Sequence, residues 1–472
     1  MINTQYTTNV KPKKGLGTLI ALCLASFTVT LGFGVIIPFF PLYASEILNV
    51  ISITFLVDFE VGIALQIGIM TSAFMFTRFL LAPSFGDLSD FSGRKPIILV
   101  GMSIYGILMI GFGLAFDFFS LMIIRSLQGV ASASVWPVGE ALIVDTSEND
   151  KVGRNLGYYM MSMQGGMASG PFLGFFLFTL LNNIFQNEIL SYKVAFVMVG
   201  FLGFLATFFV LILVYDPKDE KFSSGEKMSN IYFKTFQAMF QALKRSPRYM
   251  INLFTTRLDY RTRSMYVLYI VAVINGFSMA MVFPILSLYL ADYFFIETGD
   301  IAIIIGVIGL ISLFGNPIGG FLSDNIGKKQ TVWLAAFFSG CLLLGFGLTF
   351  GIIFTVSLAI TQRFIFNIHQ PSFRSLQSDL IPEDVRGKEF GLVQALFNLG
   401  STAGPIISGW LYDVFFNKTL TLPSELSYHG AGVSFGLAGI ISIIAAIVLL
   451  FFVDYKNDKI VETKDEINPQ LA

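Results

Sequence analysis

The feature that most constrains this chain is a series of twelve long apolar runs. A helix needs about 20 residues to cross the hydrocarbon layer of a bilayer. The runs lie at 16–45, 61–85, 97–116, 119–145, 153–181, 193–215, 265–291, 300–322, 331–350, 352–379, 387–416 and 430–453. They predict an all-α polytopic membrane protein with twelve transmembrane helices, which we number spans 1 to 12. The first run is too long for the apolar part of a secretory signal, so we interpret it as a retained span.

The composition excludes several other classes of protein. Of the 472 residues, 54% are hydrophobic and 13% are charged, whereas soluble domains carry about 25% charged residues. The net charge is −1, without the basic excess typical of nucleic-acid binding. The two cysteines, Cys23 and Cys341, lack the spacing of a disulfide or metal site. Because the sequence has no HExxH or phosphate-loop motif, we predict no enzyme activity and no cofactor or metal.

The distribution of basic residues predicts the orientation of the spans. Lys and Arg are favoured in cytoplasmic loops. If the N-terminal tail is cytoplasmic, the cytoplasmic segments, together with Arg154 and Lys388 at the cytoplasmic ends of spans 5 and 11, hold 24 of the 30 Lys and Arg, and the outer loops hold only Lys193 and Lys418. The other four lie within spans. We therefore expect both termini in the cytoplasm, and we expect a plasma-membrane location because we find no targeting peptide.

The sequence repeats itself at a shift of 234 residues. The matching pairs include Gly86 and Gly320, Asp90 and Asp324, Pro137 and Pro371, and Asp145 and Asp379. Parallel repeats of this kind are a known transporter architecture, with the substrate between the halves near the bilayer midplane. We predict two pseudo-symmetric six-helix bundles at 1–215 and 265–453, a cytoplasmic linker at 216–264 and a cytoplasmic tail at 454–472. The linker pattern predicts an amphipathic helix on the inner membrane surface or, equally, a covered linker helix.

Four short motifs resemble the Major Facilitator Superfamily of transporters. GDLSDFSGRK at 86–95 is similar to the cytoplasmic loop between spans 2 and 3 in that family, and GFLSDNIGKK at 320–329 is its second copy. RSLQG at 125–129 resembles the second motif of the family, and GMASGPFLG at 166–174 resembles the third, which is associated with antiporters. The resemblance implies a transporter of the drug/proton-antiporter-like branch that works by alternating access.

The resemblance also implies a charge relay at the cytoplasmic gate. Asp90 would face the start of span 11, and Arg94 would pair with Asp145 at the end of span 4. The second copy of this relay consists of Asp324, Lys328, Asp379 and Arg386. Such pairs would hold the inner gate shut while the transporter faces outward. The alternative is that these are solvated loop charges that follow the inside-positive rule, and Lys328 loses the bidentate geometry of an Arg.

Small residues in spans 5 and 11 predict close helix packing. These residues are Gly166, Gly170, Pro171 and Gly174 in span 5, and Gly400, Gly404 and Pro405 in span 11. Small residues let helix backbones approach closely, and Pro bends a helix. We therefore expect two bent helices that form a hinge surface.

Charged side chains inside spans are costly and are therefore candidates for function. The resemblance implies a part in proton coupling for Arg125. Glu140 and Arg374 occupy matching repeat positions with opposite charges, which suggests an interdomain pair, although snorkelling of Glu140 to the inner interface is the alternative. The remaining cavity candidates are Gln128 in span 4 and, in span 10, Arg363 and His369. His369 is either a titrating group near neutral pH or a hydrogen-bonded packing residue.

These features together predict a secondary active transporter that exports small, fairly apolar organic compounds in exchange for protons. Many drug–proton exchangers of the resembled family keep a membrane-embedded acid in span 1, and this chain has none there before Glu46. This absence argues against cationic-drug efflux, or it moves proton coupling onto Glu140. The alternatives are a facilitator or proton symporter for sugars or related nutrients, and a non-transporting receptor. The expected partners are a small-molecule substrate, protons and the lipid bilayer, with no nucleic acid, and the expected state is a monomer.

Overall fold

The computed structural model describes most of the two predicted bundles. The described residues are 15–48, 51–54, 58–147, 151–216, 237–238, 241, 262–348, 351–382, 386–421 and 427–455. Almost all of the predicted linker at 216–264, including its amphipathic helix, lies outside the described residues, as does most of the tail at 454–472.

Spans 1 to 6 are continuous helices. Their bounds are Gly15–Ile47, Ile63–Ser92, Arg94–Leu114, Phe118–Thr146, Val152–Phe185 and Glu188–Leu213. Span 4 begins with a capping box, in which the Asp117 carboxylate accepts a hydrogen bond from Ser120 N at 2.8 Å and Ser120 Oγ accepts one from Asp117 N at 3.2 Å. Hydrogen bonds from the Ser120 side chain and backbone hold the pKa of Asp117 below its ordinary value. This carboxylate therefore stays charged at neutral pH.

Spans 7 to 12 include two irregular helices. Span 7 runs over Arg263–Leu288 and continues in a π-helical turn at Tyr289–Tyr293, and span 8 consists of two helices that meet at Phe314. The helix bounds of spans 8 to 12 are Thr298–Leu313 with Gly315–Asn325, Lys328–Leu344, Ile352–Leu380, Arg386–Phe415 and Val433–Phe452. In the described part of the chain, twelve helical segments are long and apolar enough to cross a membrane. The prediction of twelve spans is confirmed.

Two small β-hairpins lie in loops at one end of the bundle. Strand β1 (Ile51–Thr54) pairs antiparallel with β2 (Asp58–Val61), and β3 (Thr419–Thr421) pairs antiparallel with β4 (Ser427–His429). They follow spans 1 and 11, which both end at the same side of the bundle. We call this side the hairpin face and the opposite side, where span 1 begins, the terminal face.

Within each half, glycines bring two helix backbones into contact. Gly170 of span 5 lies against the backbone of Gly34 in span 1, and Gly404 of span 11 lies against the backbone of Phe277 in span 7. A Cβ atom at Gly170 or Gly404 would overlap these neighbouring backbone atoms. The two Gly-Pro segments singled out in the sequence therefore occupy equivalent places in the two halves.

The two halves meet chiefly along two pairs of spans, 2 with 11 and 5 with 8, with smaller contacts of span 1 with spans 7 and 8 and of span 2 with span 7. In the first pair, Gly409 of span 11 lies against the backbone of Ala64 in span 2. In the second pair, Gly306 of span 8 lies against the ring of Phe172 in span 5. These contacts begin near the hairpin face, so this face is closed in the structure.

Candidate functional site

The structure brings together the two predicted ion pairs at the terminal face. Arg94 Nε donates to Asp145 Oδ2, and Lys328 Nζ donates to Asp379 Oδ2 at 2.6 Å. Each pair joins the start of one span to the end of the next span in the same half. Because the two pairs are repeat mates, spans 3 and 4 are tied in the same way as spans 9 and 10.

The part of the relay that would cross between the halves is only partly described. The side chains of Asp90 and Arg386 lie outside the described residues. Asp324 is exposed, and it forms no hydrogen bond or ion pair within the part of the chain that the structure describes. The contact of Asp90 with the start of span 11 therefore stays a prediction.

Asp216 stabilises the end of the 86–95 loop, although its sequence context does not single it out. Its carboxylate is buried, and Oδ2 accepts hydrogen bonds from Arg94 N at 2.6 Å and from Lys95 N at 2.9 Å. These are the first N–H groups of span 3, whose N-cap is Gly93 at φ 86° with no side chain to accept them. A carboxylate at a helix N-terminus supplies the missing acceptor and a favourable charge.

Glu140 of one half faces Arg374 of the other half. Glu140 interacts electrostatically with Arg374 and with Arg78 of span 2. Within the described residues, no cationic nitrogen lies within 4.0 Å of the Glu140 carboxylate. Arg374 Nη2 instead donates to Gln394 Oε1 at 2.5 Å, within its own half. The acid and the base are therefore coupled across the interface without a direct hydrogen bond.

Arg125 is held by aromatic rings inside the N-terminal half. The side chain is 8% exposed, and its Cζ lies 3.7 Å from the centre of the Phe40 ring and 5.2 Å from that of Phe112. Its Nη1 donates to Gln128 Oε1 at 3.3 Å, whereas Nε has no hydrogen-bond partner among the described residues. Desolvated cation–π contacts contribute about 2 kcal/mol. The guanidinium is therefore accommodated by rings and an amide.

The two candidates in span 10 lie beside aromatic rings of the same span. His369 is 3% exposed, its Nε2 is 3.4 Å from Asn275 Nδ2, and its ring stacks on that of Phe373 with the centroids 5.3 Å apart. Arg363 Cζ lies 5.4 Å from the centre of the Phe366 ring. His369 is therefore packed within the C-terminal half.

Removal of the carboxylate of Asp145 is expected to have a small effect on stability. Because both partners are partly exposed, with 11% and 34% side-chain exposure, we expect Asp145→Ala to lower the free energy of unfolding by about 0.5–1 kcal/mol. The measurement is thermal unfolding of the purified protein in detergent. Asp324→Ala, which removes an exposed acid of the 320–329 loop, serves as the control. Equal stability of the two variants would contradict the prediction.

The fold and the site define a class of protein. Twelve apolar helices in two repeated halves, with opposite charges facing each other between them, are typical of membrane transporters. The chain matches the Major Facilitator Superfamily over residues 22–261 and 268–472, and it belongs to this family. It is accordingly a multi-pass membrane transporter and not an enzyme.

Comparison with known proteins identifies relatives that cover nearly the whole chain. The quinolone resistance protein NorA of Staphylococcus aureus is 23% identical over 431 residues, which cover 89% of this chain and 93% of NorA. The multi-drug resistance efflux pump PmrA of Streptococcus pneumoniae is 26% identical over 389 residues, which cover 81% of this chain and 86% of PmrA. The predicted membrane, transport and efflux character agrees with these relatives.

Solved structures share the fold at low sequence identity. A bacterial homologue of the human lysosomal transporter Spinster, in an inward-facing and occupied conformation, has a TM-score of 0.72 at 15% identity, with 94% of this chain and 97% of that chain covered. The human organic anion transporter MFSD10 has a TM-score of 0.62 at 15% identity, with 92% and 99% covered. These similarities establish the architecture, and the predicted fold class is confirmed.

Proposed function

We propose that this protein exports small, fairly apolar organic compounds across the plasma membrane in exchange for protons. The observation that carries the proposal is the placement of Glu140 of one half opposite Arg374 of the other, in a chain whose relatives are a quinolone resistance protein and a multi-drug efflux pump. An ionisable acid at the interface between two moving halves is a suitable proton carrier.

The proposed cycle uses the charge of Glu140 to set which face is open. When Glu140 is ionised, its attraction to Arg374 favours closure of the terminal face. A proton that arrives from the hairpin face neutralises Glu140 and removes this attraction, so the population shifts toward opening of the terminal face. Release of the proton there restores the attraction and returns the transporter to the other state. This order couples inward proton movement to outward substrate movement.

The proposal includes the orientation and the working unit. The terminal face is cytoplasmic, as the excess of Lys and Arg in its loops favours, and the hairpin face is outside. The working unit is one chain, in which bundles 1–215 and 265–453 are joined by the linker 216–264. The substrate binds between the bundles, as in other transporters built from parallel repeats.

The proposal is tested with purified protein in proteoliposomes that have an acidic lumen. The probes are a fluorescent quinolone, a labelled sugar and a labelled nucleoside. For molecules with the terminal face outside the vesicle, we expect the quinolone to accumulate in the lumen while protons leave. If the sugar or the nucleoside accumulates only under the opposite proton gradient, the protein is a nutrient symporter. If either probe equilibrates without a gradient, the protein is a facilitator. Each of these results would contradict export. The absence of flux for all three probes would also contradict the proposal.

A further inference from the structure

We propose that Asp413 is a latch that holds the hairpin face closed by capping a helix of the other half. Asp413 lies at the end of span 11, where its Oδ2 accepts a hydrogen bond from Leu65 N at 2.8 Å and its Oδ1 accepts one from Ala64 N at 3.2 Å. These two N–H groups belong to the first turn of span 2. One carboxylate therefore joins the C-terminal half to the N-terminal half.

Span 2 begins without a capping side chain of its own. Its N-cap is Gly62, which provides no side-chain acceptor. The first N–H groups of a helix have no partner within the helix, and an Asp at the N-cap normally satisfies those of the second and third positions. Asp413 accepts hydrogen bonds from these same two positions, but it does so from the other half. A Cβ atom at Gly62 would overlap the Asp413 carboxylate, so the close approach depends on a glycine there.

Neighbouring contacts keep the end of span 11 in place. The adjacent Tyr412 donates a hydrogen bond to Asp292 Oδ2 of span 7 at 3.1 Å, within the same half. Elsewhere on the hairpin face, Tyr192 OH of span 6 and Thr298 Oγ1 of span 8 lie 2.8 Å apart and form a second polar contact between the halves. The latch is therefore part of a closed face with more than one polar tie.

The exposure of Asp413 makes the latch reversible. Asp413 is exposed to solvent although its oxygens accept two hydrogen bonds. When the halves separate, water can hydrate both the carboxylate and the freed N–H groups. The latch therefore biases the population of the closed state and does not fix it. This inference rests on the proposed function only in identifying the hairpin face with the outer gate.

The experiment measures opening of the hairpin face by spin-label distances. The labels are placed at Asn183 of span 5 and Ile353 of span 10, exposed positions at the hairpin face in opposite halves, in a background without Cys23 and Cys341. No substrate and no proton gradient are present. We expect Asp413→Ala to raise the ratio of open to closed distances about fivefold, which corresponds to about 1 kcal/mol. Asp413→Asn, which keeps an acceptor and loses the charge, should have a smaller effect.

Two further variants separate a tie between the halves from simple helix capping. Asp117→Ala removes the same chemistry from the start of span 4, where donor and acceptor both lie in the N-terminal half, and it should leave the distances unchanged. Gly62→Asp gives span 2 a cap of its own and displaces Asp413, so it should open the face while the helix stays capped. This variant also tests the proposal if Asp413→Ala fails to fold.

The outcomes that overturn the latch are distinct from failure of the proposed export. Distances in Asp413→Ala that superimpose on those of the wild type would overturn it, as would an equal shift in Asp117→Ala. An open population in Asp413→Ala without one in Gly62→Asp would also overturn it. Because no substrate is present in the measurement, the distances test the latch whether or not the protein exports quinolones.

Discussion

A transporter with Glu140→Gln is expected to lose proton-driven accumulation of its substrate by at least about tenfold, which corresponds to about 1.4 kcal/mol of coupling. The amide has nearly the same shape as the acid but exchanges no proton, so the attraction to Arg374 is absent at every pH. A difference in pH between the two sides of the membrane then no longer changes the attraction between the two halves. Substrate exchange without a gradient should continue, because the two halves can still move.

The measurement compares gradient-driven accumulation with counterflow exchange in the same proteoliposomes. Glu389→Gln is the matched control, since Glu389 is a buried acid of span 11 that accepts a hydrogen bond from Tyr269 in its own half. This control should keep its response to the gradient. Accumulation by Glu140→Gln at the level of the wild type would assign proton coupling to another group.

Alanine substitutions at two glycines of span 5 are expected to change the stability of the protein in opposite directions. Gly170→Ala places a Cβ atom against the backbone of Gly34, and overpacking of this kind costs about 1–3 kcal/mol. At Gly157, in the same span, the position that a Cβ atom would take has no neighbouring atom within 4 Å. Because Ala is a better helix former than Gly by about 0.8–1 kcal/mol, Gly157→Ala should stabilise the protein.

The repeat supplies an independent copy of this comparison in span 11. Gly404→Ala should destabilise the protein as Gly170→Ala does, and Gly391→Ala should behave like Gly157→Ala, since its Cβ position is also open. Thermal unfolding of the four variants in one detergent is the measurement. A shift of all four in the same direction would contradict the packing described for spans 1 with 5 and 7 with 11.

The sequence predicts the spans, but it does not predict the irregular parts of the helices. The apolar run of span 4 lies at 119–145 and the helix is found at Phe118–Thr146, because the length of an apolar run reports the thickness of the bilayer. The break of span 8 at Phe314 and the two hairpins change the backbone over a few residues. Hydropathy averaged over a whole span does not detect such local changes.

The sequence likewise predicts some contacts of the candidate site and not others. The motifs predict the pairs Arg94 with Asp145 and Lys328 with Asp379, and the structure brings both together because each motif loop leads into a span that starts beside the end of the next span. The sequence does not single out Asp413, since its partners are backbone N–H groups, one of them 348 residues away. Backbone groups leave no signature in the sequence, so contacts of this kind become visible only in the fold.

The sequence also does not predict which side chains surround Arg125. The resemblance draws attention to the residue, but the rings that hold its guanidinium belong to Phe40 of span 1 and Phe112 of span 3. Spacing within span 4 relates Arg125 to Gln128 and carries no information about facing spans. Which aromatic residues of this Phe-rich chain lie near the charge is decided by helix packing.

In the proposed mechanism, the two halves must move against each other for substrate to cross. Ala168 of span 5 and Gly309 of span 8 lie in opposite halves, and a Cβ atom built at Gly309 is 3.4 Å from Ala168 Cβ. Disulfides join Cβ atoms about 3.5–4.5 Å apart. Ala168→Cys with Gly309→Cys, in a background without the native cysteines, therefore allows a reversible link between the halves.

Substrate flux through this double variant in proteoliposomes, measured before oxidation, after oxidation and after reduction, tests the claim most directly. Each single-cysteine variant, treated in the same way, controls for the oxidant. Alternating access predicts that flux falls in proportion to the linked fraction and returns when the link is reduced. Undiminished flux through fully linked protein would contradict the account.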